Sequence, residues 1–378
     1  MSEKSIPGER WWSTALRVAA VAAAVLLVTA GTLALVYRER LATDGVLGLF
    51  TGGAAALDDD AFYYGEGSNQ VFAQAGDGLA VASSSSLALF DARGRALFRR
   101  AVSYEAPAVF ASESGALFCD LGGTGCVAVT AKGDSREIAP GGAILTASRS
   151  AAGWVALGTE EPGCKGLVSV YDAGGALRYR WWSGTGYLLR CLVSSDGKHL
   201  AALCAESGGG RLHLFRLDSE EEQASVFFPG DLPCDLYCFE NGAYCVLGTS
   251  TLYFLDAEGV ETGRADTGGA LLDYAFGEAG FTAVLTAPSL AAEHAYLTAL
   301  DSRGAVLGSL ELEGTAAAFS IRGRRLLLCA GGTLSLRDRS LSAVWTGPAP
   351  AGTARALLRG RGTALLPGPY AAEAVEIG

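Results

Sequence analysis

Charge is sparse in this sequence of 378 residues: Asp, Glu, Lys and Arg together make up 18%, while half of the residues are hydrophobic. Disordered chains and coiled coils carry more charge than that, so this chain folds around apolar surface. Basic residues are the scarcer sign, 29 against 40 acidic, and the net charge of −11 is wrong for neutralising phosphates, so nucleic acid is not an expected partner. Proline is limited to 11 residues, and the 51 glycines follow no every-third-residue period, which excludes a collagen-like rod. The only histidines are His199, His213 and His294, none at a metal-ligand spacing from a second ligand, and each reads as a surface or strand-end residue. There is no Gly-x-Ser-x-Gly elbow, His-Glu-x-x-His helix, Gly-Lys-Ser/Thr phosphate loop or dinucleotide Gly-x-Gly-x-x-Gly. No catalytic, cofactor-binding or metal-binding residue can be named, which points away from catalysis.

What is present begins with an apolar run. Twenty uncharged residues, Val18 to Tyr37, lie between Arg17 and Arg38. At about 1.5 Å per residue they cross a bilayer core of about 30 Å. Trp11, Trp12 and Tyr37 sit where aromatic rings favour the headgroup layers. A cleaved signal peptide is the rival reading, with small residues at Val28-Thr29-Ala30 and Thr32-Leu33-Ala34. The apolar region is longer than a signal's, and Tyr37-Arg38-Glu39-Arg40 resembles the far flank of an anchor, so an uncleaved single-pass membrane anchor is expected. Lys4, Arg10 and Arg17 precede it against Arg38 and Arg40 after it, which places residues 1–17 in the cytoplasm and the body outside. Residues 38–60, with Gly52-Gly53 and Asp58-Asp59-Asp60, read as a linker.

Beyond the linker the chain repeats. An apolar strand ending in Asp-x-x-Gly recurs at Phe90-Asp91-Ala92-Arg93-Gly94, Tyr171-Asp172-Ala173-Gly174-Gly175, Leu255-Asp256-Ala257-Glu258-Gly259 and Leu300-Asp301-Ser302-Arg303-Gly304. Asp bonds the backbone that follows it, and Gly takes the positive-φ position that closes a hairpin. Weaker copies at Thr130, Asp218, Asp338 and Glu376 complete eight turns, 37 to 46 residues apart with a mean of about 41. Four short strands per unit describe a propeller blade. The last unit is one strand short, which Phe62-Tyr63-Tyr64 can supply, pairing the chain ends and removing exposed edges. The expected fold is an all-β, eight-bladed propeller over residues 61–378. A seven-bladed ring stays open if a terminal unit is irregular, and a two-sheet sandwich is disfavoured by the 41-residue repeat.

These units resemble the repeats of quinoprotein-like and WD40-like β-propellers. With the anchor, the layout is similar to bacterial membrane-anchored propeller proteins grouped as a family of unknown function. Quinone-binding propellers carry tryptophan in nearly every outer strand, whereas here only Trp181, Trp182 and Trp345 fall there, and the Trp-Asp pair of WD40 repeats is absent. The resemblance therefore implies a scaffold and no cofactor. Quinoprotein-like propellers that lack the quinone include envelope assembly scaffolds that bind partner proteins.

Nine cysteines, an odd number, cannot all pair with one another. Cys119, Cys204, Cys245 and Cys329 fall in second strands and read as core; Cys191, Cys234 and Cys238 fall in first strands, Cys126 begins a third, and Cys164, in a loop, is the expected exposed thiol. Cys234-x-x-x-Cys238 has neither a zinc-knuckle nor a thioredoxin spacing. Asp58 to Asp60 and Glu220 to Glu222 read as linker and hairpin tip, lacking the alternating ligands of a calcium loop.

The most pointed cluster is Leu177-Arg178-Tyr179-Arg180-Trp181-Trp182. In strand alternation Leu177, Tyr179 and Trp181 face inward, while Arg178, Arg180 and Trp182 face water as candidate partner contacts. Two functions compete: a membrane-anchored, non-catalytic interaction scaffold at the cell envelope with an unidentified protein or envelope partner, and a ligand-binding or quinoprotein-like enzymatic propeller using its central channel. Clustered charge at a channel mouth favours the second, an exposed aromatic patch the first.

Overall fold

The computed structural model describes residues 62–350, 353–360 and 362–377. The cytoplasmic segment, the apolar run at 18–37 and the linker lie outside the described residues. The described strands form eight four-stranded antiparallel sheets. Seven are built from consecutive strands: blades 1 to 7 run over residues 71–101, 107–137, 144–182, 187–229, 233–266, 270–313 and 317–348. Blade 8 joins Leu357–Leu358, Thr363–Pro367 and Ala371–Glu376 to the chain's first described strand, Phe62–Tyr63. Tyr63 pairs with Ala371 and Phe62 with Ala372, so the expected closure by the two chain ends is present, and the ring has eight blades rather than seven.

A strand's rank in its blade decides its burial. Innermost strands such as Val71–Ala75 and Ala317–Arg322 are half-buried along their length because they line the channel. Second strands such as Gly115–Asp120 and Phe281–Ala287 are buried throughout, with neighbours on both faces, which explains runs such as Ala116-Leu117-Phe118-Cys119 that show no alternation. Outermost strands such as Glu261–Asp266 alternate between exposed and half-buried.

The repeated turn joins the third strand to the fourth. The Asp301 carboxylate accepts from the N–H groups of Arg303 and Ala305 at 2.8 and 2.9 Å, and Gly304 follows at φ +79°. Asp91 and Asp256 do the same, and Thr130 substitutes its hydroxyl. Each Asp turn carries a β-bulge, which adds the local twist that a blade needs. In blade 7 the positive-φ position is Leu341 at +62°, whose side chain is buried against Phe281 and Leu297 of blade 6. Burial of an isobutyl group, roughly 2 kcal/mol, offsets a left-handed backbone that costs about 1–2.

The core lies between blades. Eight apolar clusters fill the eight interfaces, and the last joins the ends: Phe62, Leu365 and Ala372 of blade 8 pack on Leu79, Val81 and Phe90 of blade 1. Phe62 meets Phe90 edge-on at 5.9 Å, and the Arg359 guanidinium lies over the Phe62 ring. Buried thiols belong to these layers. Cys119, Cys126, Cys191, Cys204, Cys245 and Cys329 are all buried. Burial pushes Cys191 up to about 12 and Cys204 to about 11, which keeps both protonated and unreactive. Cys164 is only half-exposed, its thiol held by the carbonyls of Glu161 and Gly166; the exposed thiol is Cys234, where bulged pairing near Pro233 turns it off the first strand of blade 5.

Candidate functional site

Antiparallel pairing puts the loops joining second to third strands, and one blade to the next, at the mouth where inner strands begin. On that mouth, the outermost strand of blade 3 ends at Trp182 and the innermost strand of blade 4 begins at Tyr187. Both are open to water, at 53% and 61% exposure. Lys165 bridges the junction: its N–H reaches the Ser183 carbonyl at 2.8 Å, and its ammonium donates to the Tyr187 hydroxyl at 2.9 Å and lies over the tyrosine ring. The Lys165 hydrogen bond, and then its charge, hold the Tyr187 phenol below its ordinary value. Further along the mouth, Phe227 is capped by the Arg211 guanidinium at 4.9 Å, and Leu232 stands in the loop leading into blade 5. Apolar groups flanked by cations form an interface-like surface across blades 3 to 5.

The three sequence candidates fare differently. Trp182 is exposed, opposite Leu167 in register. Arg180 is exposed in the same strand. Arg178 is committed elsewhere: its guanidinium pairs with the turn carboxylate of Asp172 at 2.6 Å. Tyr179 and Trp181 do pack inward on Phe215 of blade 4, at 6.1 and 5.2 Å. Leu177 does not, being 42% exposed, because the bulge at Val170/Tyr171 breaks the alternation beyond Tyr179. Tyr187, Leu232 and Phe227 were not singled out by sequence. Their signal was only position at blade junctions.

Histidines divide likewise. His199 and His294 begin strands as expected, but His213 sits mid-strand under Trp181 at 4.9 Å, bonded through Nδ1 to Glu222 at 2.6 Å. Glu222 is thus the first residue of an outer strand rather than a hairpin tip. No cluster of three metal-ligating side chains occurs among the described residues.

The opposite end of the channel holds a cavity of about 540 Å³, lined among others by Phe110, Glu113, Arg149, Arg190, Tyr237 and Arg322. Two of its arginines pair with carboxylates of other blades, while Glu240 and Glu278 also line it. Arg190 of blade 4 pairs with Asp235 of blade 5 at 2.5 Å, and Tyr274 of blade 6 donates to the same carboxylate at 2.8 Å. Burial, then the Asp235 charge, raises the Tyr274 phenol. Arg322 of blade 7 reaches Asp77 of blade 1 at 2.9 Å and Glu113 of blade 2 at 3.3 Å. Arg149 differs: its partners are the Ser114 hydroxyl and carbonyl, and burial together with the Arg136 charge lowers its pKa.

Solved propellers share the fold. The chain superposes on the C-terminal WD40 domain of Sif2 with a TM-score of 0.56 at 8% identity, covering 85% of this chain and 100% of that one. The β-propeller domain of Myceliophteria thermophila Cps50 (Swd1) gives 0.51 at 13% identity, over 72% and 95% of the two chains. Chaetomium thermophilum Raptor gives 0.52 at 13% identity, over 75% of this chain and 28% of that one. At such identities the likeness is one of fold, and it bears out the WD40-like resemblance. No curated protein sequence matches the chain. Residues 63–340, well over half of the sequence and nearly all of the propeller, match a family of unknown function, and the chain belongs to that family, DUF5711.

Proposed function

We propose that the protein is a membrane-anchored, non-catalytic interaction scaffold at the cell envelope, its propeller on the outer side of the membrane. The observation that carries the scaffold reading is the exposed surface of Trp182, Tyr187 and Leu232 on the mouth where inner strands begin. Large apolar groups left in water on a rigid β framework mark a binding surface, and burying Trp182 and Tyr187 against a partner is worth several kcal/mol. Arg190 and Arg322 of the channel are consumed in ties between blades, which stiffens the ring. The apolar run at 18–37 and its flanking charges support the anchor and the orientation.

Trp182→Ala is expected to leave the unfolding midpoint within about 0.5 kcal/mol of the parent, because the ring is largely exposed, yet to weaken partner capture at least tenfold. Equal capture by parent and variant at equal expression would overturn the reading.

A second reading, small-anion binding in the channel cavity, is favoured by Arg149 alone, a half-buried cation with no carboxylate partner among the described residues. Citrate or phosphate at constant ionic strength should then raise the parent's melting temperature and leave Arg149→Gln unmoved. No shift in the parent would dismiss this reading.

A further inference from the structure

Two of the nine thiols face each other. Cys119, in the second strand of blade 2, and Cys126, opening the third, are Cα partners across the antiparallel pair, with their sulfurs 3.5 Å apart. The neighbouring pair supplies the backbone bond, Asp120 N–H to the Gly125 carbonyl at 2.9 Å, while the Cys126 carbonyl accepts instead from Ile138 on the far side. Cys119 and Cys126 therefore occupy a non-hydrogen-bonded position, where Cα atoms approach to about 4.5 Å and side chains lie closest. That separation falls inside the range of about 4.4–6.8 Å that a disulfide spans. No other two cysteines share a cross-strand position: Cys191 faces Ala202, Cys204 faces Leu188 and Arg211, Cys238 faces Tyr244, Cys245 faces Tyr237 and Phe254, and Cys329 faces Ala318 and Leu334.

We propose that Cys119 and Cys126 form a disulfide when the chain folds in an oxidising compartment. The co-reactant is a small disulfide of the oxidised-glutathione class. A thiolate of one cysteine attacks it, forming a mixed disulfide and releasing one thiol; the second cysteine's thiolate attacks that mixed disulfide, closing the protein bond and releasing the other. Two cysteine thiols are oxidised by two electrons in all, the reagent is reduced to two thiols, and those thiols take up the two protons. Both sulfurs are buried once the blade is packed against Ile144 and Val155 of blade 3, so the bond closes during folding and is shielded afterwards. It ties the second strand to the third at the end of the hairpin where Asp120 also holds the incoming loop through the N–H groups of Glu105 and Ala106.

The full chain can be synthesised in detergent micelles with either oxidised or reduced glutathione, the monodisperse fraction then being alkylated. Lys and Arg are absent between Arg100 and Lys132, so trypsin leaves both cysteines on one peptide. In the oxidised sample this peptide should weigh about 2 Da less than its dithiol and carry no alkyl group, and cleavage before Asp120 should leave two pieces joined until reduced. Cys119→Ser should leave Cys126 alkylated with no other linkage replacing theirs. Full alkylation of both cysteines in the monodisperse oxidised sample, or linkage of either to a third cysteine, would overturn the proposal.

Discussion

At the residue scale, the Asp-x-x-Gly turn is where a few atoms decide a blade. Gly304 sits at φ +79°, and a Cβ there would lie 2.9 Å from the Phe254 ring of the preceding blade. Gly304→Ala should therefore lose about 2–4 kcal/mol, the left-handed cost plus the clash. Gly268→Ala, at φ +69° with open space around it, should lose only about 1–2. Denaturant midpoints of the two variants would show the difference. The turn carboxylates also carry a pH signature. The Ala176 N–H and then Arg178 hold Asp172 below the ordinary carboxylate value, and the Ser340 hydroxyl does so for Asp338. A depressed folded value gives stability that is present above about pH 4 and is lost as pH falls through the folded value. The double variant Asp172→Asn, Asp338→Asn should lose less stability than the parent between neutrality and acid, read as urea midpoints across pH. A parallel decline in the two proteins would contradict this account of the turns. Thiol reactivity should single out one position: in the native protein Cys234 reacts first with a disulfide-exchange reagent, while Cys191, Cys204 and Cys245 react only on unfolding.

At the element scale, the strand Phe62–Tyr63 is two residues long yet closes the ring. Phe62→Ala should cost about 3–5 kcal/mol, since Phe62 is fully buried where the first and last blades meet. A loss under about 1 kcal/mol by urea denaturation would mean that the closure adds little. This strand, the four-stranded units and the Asp turns were legible because each is a local pattern: a run of apolar residues, a turn pair, a fixed interval. The bulge that exposes Leu177 was not, since it depends on which residue the partner strand skips. Nor was Leu341, where packing against blade 6 overrides the preference for glycine. The channel network was invisible for a different reason: Arg190, Asp235 and Tyr274 lie 45 and 39 residues apart, one blade each, and no spacing rule links them. Of the candidate surface, Trp182 could be read from alternation, whereas Tyr187 and Leu232 join it only through the geometry of blade junctions.

At the scale of the whole molecule, eight blades packed face to face make a stiff ring in which charged side chains tie neighbouring blades and one mouth carries Trp182, Tyr187, Phe227 and Leu232 exposed across blades 3 to 5. A ring of this kind holds a surface still, and that is what a scaffold requires. The central claim is that this surface, rather than another part of the rim, meets the partner. Site-specific photo-crosslinking in intact cells tests it directly, with the photoreactive residue placed at Trp182 in one strain and at Val306, an equally open apolar position on the outer strand of blade 6, in another. The account predicts a discrete adduct of defined mass from position 182 and none from 306. Adducts of equal yield from both positions, or from 306 alone, would contradict it.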